Sequence, residues 1–197
     1  MMVASEKLSN AFERFDAANA EDPNHEVFEG RELPKELLYA QRMSAVLKAF
    51  DPDASEALQL TARCQHIRRW EIPRDRYEMN RVGYLQWRRA LKTYHADIAA
   101  EILTDVGYGP DLIERVRFLL LKKKLKIDEE TQTLEDVICL VFLQYYYEPF
   151  LVKHDDAKIV SILQKTWKKM SDKGQKAALR LDFSNRGTEL ITKALGQ

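Results

Sequence analysis

The sequence predicts an all-α protein, a single helical bundle of about eight or nine helices forming one domain over residues 1–197. Three observations carry this. Apolar residues recur at helical spacing along almost the whole chain, the alternating pattern of half-buried strands is nearly absent, and the two main breakers are scarce, with seven glycines and six prolines.

The elements follow in order. A first helix runs from about Ser5 to Ala18, with Leu8, Phe12 and Phe15 on one face. AEDPNHEVFEGREL reads as a long polar connector. Pro34 suits the first turn of a second helix carrying Leu38, Met43 and Val46. Asp53 is positioned to cap a third, in which Ala57, Leu60, Cys64 and Ile67 form one stripe that must end before Pro73. After a loop over 74–80, a long fourth helix reaches Gly107, a C-terminal stop. A fifth spans about Asp111 to Lys124, and its terminal lysines favour the helix dipole. Thr133 starts a sixth, ended by Pro149, and Asp155 caps a seventh. Two short helices close the chain. Tyr145, Tyr146 and Tyr147 fan around a helix instead of forming one stacking platform, so they read as core.

Composition narrows the function. Lys+Arg and Asp+Glu both number 31, so no global field draws the protein to nucleic acid or a membrane surface. The charge is uneven locally: residues 1–56 carry twelve acids and six bases, whereas 61–92 carry nine bases, eight of them arginine, and three acids. Cys64 and Cys139 lie in apolar helical patterns and read as buried thiols. The N-terminal residues lack the apolar segment of a signal peptide and no run is long enough for a membrane span, so a cytoplasmic location is expected. Walker, Rossmann, Gly-x-Ser-x-Gly and Cys-x-x-Cys patterns are absent from the sequence, leaving serine and cysteine nucleophiles without support.

RCQHIRRWEIPRDR, residues 63–76, packs one histidine, one tryptophan and five arginines into fourteen positions. His66 borders the apolar stripe of the third helix, beside Arg69 and Trp70. His95 shares its helical face with Tyr84, Trp87, Leu91, Ile98 and Ile102, so it projects toward the core or a cleft opening from it. Each histidine also has a purely structural reading, as a hydrogen-bonded core residue. Asp136 opens the sixth helix, where Thr133 and Asp136 resemble a capping box. Together, two imidazoles and a carboxylate from three helices are a donor set for a divalent transition metal, which lowers the pKa of bound water. Glu135 is an alternate ligand or a base for that water. Arg69, Arg81 and Arg88 are the favoured phosphate contacts, because a guanidinium fork matches phosphate oxygens. The competing reading is a solvated face paired with Glu71, Asp75 and Glu78. Asp16, Asn19, Glu21 and Asp22 are either linker residues or a strap that contacts a base or ribose.

The segments DAANAEDP, KELLYAQRM, ARCQHIRRWEIPRDRY, RVGYLQWRRALKTYHA and TLEDVICLVFL resemble the uncharacterised family catalogued as domain of unknown function 4202, over almost the whole chain. A weaker resemblance is to the HD superfamily of metal-dependent phosphohydrolases, helical proteins whose ligands are a histidine, an adjacent His-Asp doublet and a later aspartate. It matches His66 to the first histidine and Asp136 to the last aspartate. The doublet is the departure: here it is His95-Ala96-Asp97, and residues two apart on a helix point about 200° apart. The adjacent pair His154-Asp155 falls at a helix start and reads as a surface cap.

The first functional expectation is therefore a metal-dependent phosphohydrolase acting on a small phosphorylated molecule such as a nucleotide. It would carry a divalent metal on His66, His95 and Asp136. The alternative is a non-catalytic binding module that holds a nucleotide or an RNA end in an arginine-rich pocket. A third reading is a structural or interaction protein. No membrane partner is expected.

Overall fold

The computed structural model describes residues 2–196. Ten α-helices and one two-stranded hairpin make up the regular structure of the described residues, in agreement with the all-α reading. The sequence predicts one domain over 1–197; the backbone gathers into two compact units, Met1–Lys48 with Pro52–Lys123, and Ala49–Asp51 with Lys124–Gln197. No helix among the described residues is long and apolar enough to cross a membrane.

In the first unit, α1 (Met2–Ala20) runs further than its apolar face predicts. The expected polar connector is instead a hairpin, β1 (His25–Phe28) and β2 (Arg31–Pro34), paired Phe28 to Arg31. Glu29 and Gly30 form its turn with φ of 51° and 75°, the double left-handed turn that suits strand twist. The hairpin folds back onto α2 (Lys35–Phe50): Arg42 donates to Glu26 at 2.7 Å and lies 4.9 Å over the Phe28 ring. Asp22 closes the base, one oxygen accepting from Asn24 and the other from the backbone of Glu36, in the first turn of α2.

Ser55, not Asp53, caps α3 (Glu56–Cys64), with its hydroxyl accepting from Leu58. Two short turns over Arg69–Glu71 and Arg74–Arg76 lead to α4 (Arg81–Val106), which Asn80 caps and Gly107 ends in the left-handed conformation. Pro110 then starts α5 (Pro110–Leu120). Phe15, Met43, Leu60, Ile67, Leu103 and Leu119 are wholly or almost wholly buried in this unit. Burying side chains of this size stabilises by roughly 1.5–3 kcal/mol each. Arg117 on α5 pairs with Asp97 at 2.8 Å and donates to the Ala96 carbonyl, tying α5 to α4.

The second unit contains α6 (Glu129–Val141), a wide turn over Phe142–Tyr146, α7 (Tyr147–Lys153), α8 (Asp156–Lys169), α9 (Asp172–Ala178) and α10 (Asn185–Leu195). α6 starts four residues earlier than expected, because Asp128 caps it through the Thr131 amide. Pro149 does not end the helical run. It sits in the first turn of α7, where a missing N–H is tolerated. Tyr147 is fully buried and donates to the Gly187 carbonyl, as a core tyrosine should. Asp155 caps α8, as expected, and both cysteines are buried and free.

Arg63 on α3 grips Asp16 on α1 through both carboxylate oxygens, and its side chain is only 14% exposed. Removing one partner strands a half-buried charge. Asp16→Ala is expected to lower stability by about 2 kcal/mol in urea unfolding, and Asp16→Glu to recover part of it. An unchanged midpoint would show that the clamp is not holding the two helices.

Candidate functional site in the first unit

Arg68 adopts the left-handed conformation just after α3, with φ of 52°. That reversal is held from outside: the Asn19 side-chain carbonyl accepts from the Arg68 amide at 3.1 Å, and the Ile67 carbonyl is bound by His95 Nδ1 at 2.7 Å. The turn therefore presents His66 and Arg69 to the same side as His95. The two imidazole centroids lie 5.9 Å apart. His66 stacks on Tyr39 at 4.1 Å and 12°.

The hydrogen bonds fix both tautomers. A carbonyl only accepts, so His95 Nδ1 carries the proton and Nε2 is a bare lone pair. His95 is 4% exposed, and its Nε2 has no partner among the described residues. Arginine only donates, so His66 Nε2 accepts from Arg69 at 3.2 Å and His66 Nδ1 faces the Glu36 carboxylate at 3.4 Å. Glu36 also lies 3.9 Å from Arg69.

Electrostatics keep both imidazoles neutral. Burial holds His66 well below the ordinary histidine value, and the charges of Arg69, Arg88, Lys122 and Lys35 add to the effect. Burial, then the neighbouring His66, pushes His95 down to about 3. Burial raises Glu36 to about 7 despite the opposing charge of Arg69. Arg88 lies close enough to act on both His66 and Arg69, yet forms no ion pair with any described residue.

The other sequence-predicted residues are placed as follows. Arg81 is exposed at the start of α4, without an ion pair to any described residue. Asp97 is exposed and turned toward Arg117 while His95 is buried, as the 200° separation requires. Arg74 is held by the carbonyls of Tyr77, Glu78 and Asn80. Asn19 and Asp22 are buried struts of the turn and the hairpin; Asp16 and Glu21 pair with Arg63 and Arg68. Glu36 is the residue that sequence reasoning missed. Its signal was an acid in line with the apolar residues Ala40, Met43 and Leu47 of α2.

Asp136 and Glu135 belong to the second unit. Asp136 is 2% exposed and its oxygens are committed: they accept from the Ser171 amide, the Ser171 hydroxyl and Gln132. It thus braces the start of α9, where Ser171 is the cap, and does not form the expected box with Thr133. Glu135 is buried and pairs with Lys169 at 3.6 Å. A cavity of about 220 Å³ opens beside Asp136, lined also by Lys126, Asp128, Gln132, Ser171 and Lys173. Among the described residues no group of three or more His, Cys, Asp or Glu side chains is arranged to hold a metal ion. Of the two histidines in the first unit, His95 keeps a bare Nε2, whereas the His66 Nε2 accepts from Arg69.

The neutral histidines make stability pH-dependent. The unfolded imidazoles take up protons near pH 6.5, whereas the folded His95 resists down to about 3. In that window the unfolded chain binds more protons, so stability falls as pH drops. Glu36 works the other way: its folded carboxyl keeps a proton up to about 7, so its contribution falls as pH rises from about 4.5. His95→Gln is expected to reduce the acid-side slope of unfolding free energy by about 1.4 kcal/mol per pH unit between pH 4 and 6. The same slope in wild type and variant would contradict a buried neutral His95.

The chain matches the family described as domain of unknown function (DUF4202) over residues 9–191. No curated protein and no solved structure matches it. With the match running from α1 into α10, through every residue of the candidate site, the chain belongs to the DUF4202 family.

Proposed function

We propose that the first unit binds a small phosphorylated molecule at Arg69 and Arg88, beside His66. The charge balance around His66 carries this reading. Arg69, Arg88 and Lys35 act on that imidazole, while the carboxylate facing it, Glu36, is raised to about 7 and is only partly ionised at neutral pH. Like charges gathered at a half-buried site repel one another unless an anion joins them. Phosphate oxygens suit guanidinium donors, and the bare Nε2 of His95 accepts from a hydroxyl or a protonated phosphate oxygen. His66 and Arg69 are reachable, with side chains 20% and 25% exposed, whereas the His95 Nε2 is buried and would meet only a ligand group that enters beside them.

Calorimetric titration with pyrophosphate and a panel of phosphorylated metabolites tests this. Binding is expected, weakening as salt rises, and Arg88→Ala is expected to weaken it by roughly 10- to 100-fold at unchanged melting temperature, the usual cost of a charge-assisted hydrogen bond. Failure of every phosphate to bind, or unchanged affinity in the variant, would overturn the reading.

A second reading, hydrolysis of the bound phosphate with a divalent metal, is favoured by one observation. A histidine that donates Nδ1–H to a carbonyl and keeps Nε2 bare has the orientation typical of a metal-bound imidazole. His66 is the other first-unit residue proposed for it. Elemental analysis of purified protein decides. Near-stoichiometric metal that is lost in a folded His95→Ala variant supports hydrolysis, and no metal after reloading leaves the binding reading alone.

A further inference from the structure

We propose that the phosphorylated ligand is a nucleoside phosphate, free or at the end of an RNA, and that its base stacks on Tyr84. The inference rests on the phosphate reading above and adds the half of the ligand that phosphate contacts do not see.

An ordered series of flat groups leads from solvent to the arginines. Tyr84, on the first turns of α4, is 44% exposed. Its ring lies 5.9 Å from that of Trp87 at 49°. Trp87 is 8% exposed and fixed by its indole N–H, which donates to the Ile72 carbonyl at 2.8 Å. The Arg69 guanidinium lies 4.8 Å over the Trp87 ring, and its other side meets His66, which stacks on Tyr39. Arg74, locked by three carbonyls, approaches both Tyr84 and Trp87 at about 6 Å.

The outer end of this series is an exposed ring, and the middle is the phosphate site. Tyr84 and Arg69 both adjoin the Trp87 ring, at 5.9 Å and 4.8 Å, so a base on the one and a phosphate on the other belong to neighbouring places. Leu85, the next residue along α4 after Tyr84, is itself 57% exposed, so the start of this helix presents apolar surface to water. An aromatic face with neighbouring guanidinium groups is the platform on which bases stack, whatever their identity. Because the contact is by stacking, the site is expected to accept adenine, guanine and uracil nucleotides with similar affinity.

Titrations with tripolyphosphate, ATP, UTP and a 5′-phosphorylated hexanucleotide test this on wild type, Tyr84→Ala and Tyr84→Trp. Nucleotides should bind about tenfold more tightly than tripolyphosphate, the scale of one stacked base. Tyr84→Ala should remove that advantage and leave tripolyphosphate binding unchanged, and Tyr84→Trp should keep it. A hexanucleotide tighter than ATP assigns the site to an RNA end; one weaker assigns it to free nucleotides. If nucleotides bind no better than tripolyphosphate, or Tyr84→Ala leaves their advantage intact, the base shelf is wrong while the phosphate site stands. If tripolyphosphate and nucleotides all fail to bind, the phosphate reading falls and this inference with it.

Discussion

The hydrogen bond from His95 Nδ1 to the Ile67 carbonyl is the contact on which the first unit's site depends. It reaches from the middle of the longest helix to the turn that follows α3, where Arg68 is left-handed and Asn19 of α1 holds its amide. Three separate stretches of chain therefore converge on one peptide group, that joining Ile67 to Arg68. A non-glycine residue in the left-handed region costs roughly 1–2 kcal/mol and persists only where its surroundings impose it. Here the surroundings are a buried asparagine and a buried histidine, and the result is that His66 and Arg69 face inward together.

The same bond decides the chemistry. Spending the Nδ1 proton on a backbone carbonyl leaves Nε2 bare in a buried place, and an unmet buried acceptor costs stability unless a ligand meets it. The charged groups acting on it are the Arg69 guanidinium and the Glu36 carboxyl, which oppose each other. A bare imidazole nitrogen thus lies near the guanidinium of Arg69, and the proposal of a phosphate ligand builds on that pairing. Asp136 is committed otherwise, although a cavity opens beside it. Its oxygens are used in bracing α9, and Gly174 packs so closely on its carboxyl group that a Cβ there would come within 2.6 Å.

Much of the helical order was legible because burial repeats with the helical period. Phe15, Leu60, Cys64, Ile67 and Leu91 are all buried on the faces read from spacing. His95 was legible for the same reason, and so was the divergence of Asp97. Other features write weaker signals. The hairpin turn at Glu29-Gly30 looks like a polar loop because its strands are only four residues each and half exposed. Lys122, Lys124 and Lys126 all take left-handed backbone between α5 and α6, which no residue preference of lysine announces. Thr133 with Asp136 imitates a cap because the true cap, Asp128, carries the same chemistry one turn earlier. Glu36 looks like an ordinary acid at a helix start, and only its alignment with buried residues of α2 marks it as part of the site.

His95 is neutral and buried, its Nε2 meets no partner among the described residues, and the proposed site has a ligand meet that lone pair. The most direct test is nitrogen-15 NMR of imidazole-labelled protein at pH 7, recorded with and without pyrophosphate. His95 should be the Nδ1–H tautomer, its Nε2 resonance should lie at the position of an unprotonated nitrogen, and this resonance should move on titration while Nδ1 stays in place. A protonated Nε2 in the free protein, or a resonance indifferent to pyrophosphate at saturating concentration, would contradict this.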